Sequence, residues 1–203
     1  MLELLQKGGI LMYPIVALSV LSLAIFMERL FMLRKERYAP ANFTQKLTEL
    51  LRDEKYTDAA NLCELQHSAL SRIAQAAIGS RELAWDELYA VAENAGRREA
   101  NKLGRFQETM SMITTTAPLL GLLGTIFGMI KIFNVLSAGG AGNATALSGG
   151  IAEALLTTAA GLTVAIPAQI FYYIIKHRSD LIVKELEGQT VDIVTLLSSG
   201  RSR

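Results

Sequence analysis

Cysteine is nearly absent from this chain. Cys63 is the only one, so no disulfide can close within the chain, as expected where the surroundings are reducing. Histidine is almost as scarce. His67, His177 and Cys63 all fall outside the long apolar runs, with no nucleophile or metal-ligand spacing among them, and the expectation is that the chain is not an enzyme. Proline occurs four times, and three of the four, Pro14, Pro118 and Pro167, stand inside apolar runs. Charge is sparse at 19% and balanced to a net +1. The basic residues hug the apolar runs without interleaved aromatics, which argues against a nucleic-acid partner.

What the chain has in quantity is apolar sequence. Hydrophobic residues make up 51% of it and the mean hydropathy is +0.30, values that point to a membrane protein. No charge occurs between Gly8 and Met27, Lys131 alone occurs between Thr109 and Leu136, and Glu153 alone between Ile151 and Ile175. Each run is long enough to cross roughly 30 Å of hydrocarbon at about 1.5 Å per residue. The first runs straight into Glu28-Arg29 without a small-residue cleavage site, and its start is weakly basic, so it reads as a retained anchor and not as a signal peptide.

Basic residues concentrate on the cytoplasmic side of membrane spans. Arg29, Arg34, Lys35 and Arg37 follow the first span, Arg97, Arg98, Lys102 and Arg105 precede the second, and Lys176, Arg178 and Lys184 follow the third. The segment from Ser137 to Gly150 has no charged residue and falls to the other side. The expected organisation is a short extracytoplasmic amino terminus (1–8), span one (9–31), a cytoplasmic helical domain (32–108), span two (109–136), an extracytoplasmic loop (137–150), span three (151–175) and a cytoplasmic carboxy-terminal helix (176–203). The fold class is an all-α integral membrane protein of three transmembrane helices with long cytoplasmic helical extensions.

The cytoplasmic insertion reads as helices. Apolar residues recur at helical spacing after Pro40, through Phe43, Leu47, Leu50 and Leu51, and again from about Thr57 to Leu65 and from Ser68 to Ile78. From Trp85 the apolar positions Leu88, Val91, Ala95, Ala100, Leu103 and Phe106 recur with no proline before Pro118, which predicts one helix running unbroken into span two. The loop Gly139-Gly140-Ala141-Gly142 follows a membrane helix and lacks the P-loop lysine, so it reads as a turn, not a phosphate cradle.

Polar groups within the spans carry the functional expectation, because an ionised side chain at a membrane-helix centre costs about 2.5 to 3.5 kcal/mol and usually faces a partner, a cavity or an ion path. Gly121, Gly124 and Gly128 lie on one stripe of span two with Thr125 beside them, a small-residue face that admits another helix. Span three repeats the pattern with Ala154, Ala160, Gly161 and Ala165 around Thr157 and Thr158, while Leu155, Leu162, Ile166, Ile170 and Phe171 face lipid. Glu153 and Thr157 share a face. Thr125 and Thr158 come out at similar depth, so the two threonines are expected to meet near mid-membrane. Lys131 is expected to snorkel outward, and Thr114, Thr115 and Thr116 to bond back to their own helix.

The block Ala117-Pro118-Leu119-Leu120-Gly121-Leu122-Leu123-Gly124-Thr125-Ile126-Phe127-Gly128-Met129 and the block from Gly150 to Pro167 resemble the signature of the ExbB, TolQ and MotA superfamily of proton-channel subunits. Met12-Tyr13-Pro14 and Glu28-Arg29-Leu30 add to the likeness, which covers nearly the whole chain and is closest to the ExbB/TolQ branch. The resemblance implies a homopentameric ring around a dimer of a single-span ExbD/TolR-like partner, working on a TonB- or TolA-like protein in a bacterial inner membrane, with the amino terminus periplasmic. It implies protons as the coupling ion, no cofactor or metal, and lipid as the remaining ligand. Carried over by position, Thr125 and Thr158 match the pore threonines and Glu153 the pore glutamate, with Thr157 beside them; Gly121, Gly124, Gly128, Gly161, Pro118 and Pro167 fall at helix-packing positions. A hydroxyl suits a carboxylate that cycles its proton, since it both donates and accepts. The look of span one inclines toward an ExbB-like role in TonB-dependent transport, with a TolQ-like role in envelope maintenance as the alternative. An autonomous transporter or a scaffold is the reading of a different class, and a transporter would need more intramembrane charge than Glu153 supplies.

Overall fold

The structure is a computed structural model and describes residues 8–137 and 144–199. Among them every regular element is a helix: α1 (Met12–Met32), α2 (Lys35–Tyr38), α3 (Ala41–Arg52), α4 (Tyr56–Leu65), α5 (Ala69–Gly79), α6 (Trp85–Leu103), α7 (Gln107–Ser137) and α8 (Ala144–Ser199). Three of these, α1, α7 and α8, carry stretches long and apolar enough to cross a membrane by length and composition. The glycine-rich loop at 139–142 lies outside the described residues.

The chain divides into two compact units. The first takes the chain up to Glu28 together with Phe106–Ile174. Here α1 buries Met12, Ile15, Ser22 and Ile25 on one stripe and exposes Val20, Leu23 and Met27. Its Phe26 stacks on Phe171 of α8 with ring centroids 4.0 Å apart, so Phe171, expected to face lipid, packs instead within the unit. α7 and α8 lie antiparallel, with Gly128 against Ala154, Gly124 against Thr157 and Gly121 against Thr158. Leu155, Leu162, Ile166 and Ile170 stay exposed, as the sequence pattern implies.

The second unit takes Arg29–Arg105 and the chain from Ile175 onward. α3 buries Phe43, Leu47 and Leu51, the i, i+4, i+8 stripe of an amphipathic helix. α5 starts at Ser68, whose hydroxyl accepts from the Ser71 amide while the Ser71 hydroxyl accepts from the Ser68 amide. This reciprocal cap satisfies two amides that a helix start otherwise leaves open. The last part of α8 buries Ile175, Ile182, Leu186, Thr190, Val194 and Leu197.

Two expectations are corrected. The helix from Trp85 does not run unbroken into span two: it ends at Leu103 with Gly104 as its cap, and α7 begins at Gln107. Gly104 is a poor helix former, and Phe106 takes a φ of 67°, a left-handed conformation that no helical ladder accommodates. The second correction is at the other end. α8 already begins at Ala144, inside the stretch read as loop to 150. Gly150 belongs to helix packing here, since a Cβ on it would sit 2.6 Å from Ile132.

Candidate functional site

The glycine stripe sets how closely α7 and α8 approach. A Cβ on Gly124 would fall 2.3 Å from the Thr157 methyl, one on Gly128 2.6 Å from the Ala154 Cβ, and one on Gly161 2.6 Å from the Ala117 carbonyl oxygen. Carbon atoms make ordinary contact near 3.5 to 4.0 Å, so these positions leave no room for a side chain: Gly161 meets the backbone of α7, while Gly124 and Gly128 receive the Thr157 and Ala154 side chains. Pro118 and Pro167 lie inside α7 and α8. Lacking an N–H, each removes one rung of its own ladder.

This close approach brings the polar residues into separate roles. Thr158, half-buried, donates its hydroxyl across the interface to the Gly121 carbonyl at 2.9 Å. Thr125 donates to its own helix, to the Leu122 carbonyl at 2.6 Å. The register sets Thr158 against Gly121, about one turn along α7 from Thr125, and each hydroxyl serves a different carbonyl, so the two threonines do not hydrogen-bond to one another. Thr114 and Thr115 bond back to the Ser111 carbonyl.

Thr157 is the buried member, 1% exposed. Its hydroxyl lies 2.7 Å from the Glu153 carbonyl and 3.0 Å from the carbonyl of Gly8, 149 residues away in sequence, so it pins the segment before α1 onto α8. Glu153 turns its carboxylate to Lys131, whose Nζ is 2.7 Å from both oxygens. Lys131 therefore does not simply snorkel outward: a carboxylate within reach is a better partner than the interface, and charge-assisted hydrogen bonds are the strong ones. A cavity of about 300 Å³ opens beside this pair, with Gly8, Leu11, Gly124 and Thr157 on its other sides.

Sequence reasoning missed Lys131 and the Gly8-Gly9 segment as parts of this site. The signal for Lys131 was available in part, because antiparallel spans place the end of one beside the start of the next, and each holds a single charge there. Nothing in the sequence marks Gly8 as an acceptor. Among the described residues no three His, Cys, Asp or Glu side chains converge to hold a metal ion.

Comparison with known proteins bears on this arrangement directly. Residues 65–188, which contain the whole α7–α8 interface, match the MotA/TolQ/ExbB proton channel family. The chain is 31% identical over 189 residues to the "Putative biopolymer transport protein ExbB-like 3" of Synechocystis sp., covering 91% of this chain and 90% of that protein. It is 31% identical over 183 residues to the "ExbB-like 1" protein of the same organism, covering 86% and 70%. To the "Biopolymer transport protein ExbB" of Neisseria meningitidis it is 26% identical over 190 residues, covering 87% and 85%.

Proposed function

This chain belongs to the MotA/TolQ/ExbB proton channel family, and from that premise we propose that it is the ring-forming subunit of an inner-membrane motor that converts proton motive force into mechanical work. The family is a proton channel family and not a family of enzymes. In this reading five copies surround a dimer of a single-span ExbD/TolR-like partner, and the assembly drives a TonB-like protein for outer-membrane transport. The biopolymer-transport names of the relatives favour that role over a TolQ-like one. The basic residues flanking the spans support an amino terminus outside and a carboxy terminus in the cytoplasm.

The observation that carries the proposal is the state of the two half-buried threonines. Thr125 and Thr158 each have their single proton committed to a backbone carbonyl, and their oxygen lone pairs remain to accept. A hydroxyl in that state favours a protonated carboxylic acid, which donates, over a carboxylate, which needs a donor. A partner's membrane aspartate would thus be held in its neutral form, the form that hydrocarbon tolerates. On losing its proton the carboxylate would have to recruit the threonine proton away from the carbonyl or move on. Thr157, buried and engaged on both sides, is assigned to holding the site together, with Glu153 as the fixed charge beside it.

Native mass spectrometry of the chain, alone and with its single-span partner, tests the assembly: five copies gaining two of the partner is the expected result. Thr158→Val keeps the shape and removes the hydroxyl. It should leave that assembly intact and abolish partner-dependent proton flux, and retained flux would refute the assigned role.

A further inference from the structure

The sequence places one cation in span two and one anion in span three, and the fold brings them together. We infer that Lys131 is the positioning residue for Glu153: it holds the carboxylate turned toward the segment before α1, so that the group the proposed channel uses is set in place by a second side chain of the same chain. The inference rests on the reading of Glu153 given above and adds the residue that orients it.

Three observations support it. One ammonium nitrogen lies 2.7 Å from both carboxylate oxygens, a geometry that ties down the whole carboxylate and not just one oxygen. The glutamate is the more enclosed partner, its side chain 22% exposed against 60% for the lysine. Among the described residues Lys131 is the ion-pair partner the structure gives that enclosed carboxylate. The third is steric. Gly9 has a φ of 73°, and a Cβ there would lie 2.2 Å from the Glu153 Oε1. The segment before α1 therefore lies against the carboxylate, with Gly8 bonded to Thr157 one turn along α8. Alanine at position 9 would displace the carboxylate without altering a charge.

The test uses the full chain reconstituted in vesicles with its single-span partner. A carbodiimide joins a carboxylate only to an amine already in contact with it, so the native complex should give a Lys131–Glu153 isopeptide, and mixing isotopically light and heavy copies should show it within one chain. A fully assembled complex with no such product, or with Lys131 joined to another acid, would overturn the pairing. Lys131→Met and Gly9→Ala should each lower partner-dependent proton flux by about tenfold to a hundredfold, the scale on which misplacing a working group acts, while Lys131→Arg restores it. Unchanged flux in an assembled Lys131→Met complex would overturn the positioning role. Should Lys131→Met fail to assemble, the cross-link and Gly9→Ala decide. Glu153→Gln separates the two levels: wild-type flux in that variant discards the channel role of Glu153 itself, whereas no flux beside a fully active Lys131→Met discards only the inference about Lys131.

Discussion

Alanine at position 124 has no room for its methyl group. The added Cβ would lie 2.3 Å from the Thr157 methyl carbon, 2.5 Å from its Cβ and 3.0 Å from its hydroxyl oxygen. Relief to ordinary contact needs roughly 1.2 Å or more. The threonine cannot swing aside, because its Cβ is itself within the clash and its hydroxyl is held by the Glu153 and Gly8 carbonyls. The helices must separate instead. Overpacking of this kind costs typically about 1–3 kcal/mol, and the better helix propensity of alanine returns about 1 kcal/mol, leaving a net loss of up to about 2 kcal/mol. Gly149 supplies the control on α8, since a Cβ there meets nothing within 4 Å. Thermal unfolding in detergent, followed by size-exclusion chromatography of heated samples, should place Gly124→Ala below wild type, by up to about 8 °C for a chain of this size. Gly149→Ala should match or exceed wild type. Equal melting temperatures for the two variants would refute the claim that the stripe exists to bring the helices together.

Two further predictions concern the second unit. Glu99 is 5% exposed and receives hydrogen bonds from Arg72 at 2.8 and 2.6 Å and from Lys102 at 2.6 Å. Desolvation pushes its carboxyl up, but the bonds from Arg72 and Lys102 outweigh that and hold the group below its ordinary value of 4.5. Its contribution is therefore fully present above about pH 4.5 and is lost as the pH falls through the lowered folded value; the melting temperature of Glu99→Gln should fall less than that of wild type between pH 7 and pH ~4, and parallel pH dependences would contradict the account. Burial pushes the Cys63 thiol up to about 11, so a thiol-reactive maleimide at neutral pH should label the native protein far more slowly than the denatured one, and equal rates would show that α4 does not pack as described.

The spans were legible because hydrocarbon keeps charge scarce over a fixed length: the run Gly8–Met27 has none, and Thr109–Leu136 and Ile151–Ile175 have one each, near an end. The small-against-large division of α8 was legible for a similar reason, since backbone contact requires glycine and alanine on one face. The break at Gly104–Phe106 was not. A single glycine lowers helix propensity without forbidding a helix, and nothing marks Phe106 for a left-handed backbone. Glu99 was hidden by its type, because a charged residue on a helix is read as exposed unless its partners are known, and Arg72 lies 27 residues away. The apolar pattern accordingly placed the buried face of α6 through Val91 and Ala100, where the structure buries Ala92, Ala95 and Glu99.

The polar groups of the first unit differ in what they can still do, and that difference ties the packing to the proposed chemistry. Glycines bring two helices so close that a threonine on one reaches a carbonyl on the other, which is how Thr158 comes to bond Gly121. The same closeness buries Thr157 and spends its hydroxyl on holding Gly8. Two adjacent residues of one type thus acquire opposite fates from a rotation of about 100° around the helix: Thr157 is locked, while Thr158 keeps lone pairs within reach of an outside group. The fixed charges follow the same logic. Glu153 and Lys131 neutralise one another within the chain, so a ring of such chains could present a partner carboxylate with acceptor oxygens at mid-depth without meeting an uncompensated charge there. A stepwise motor needs that combination, because a site that bound the ionised carboxylate tightly would hold the axle still.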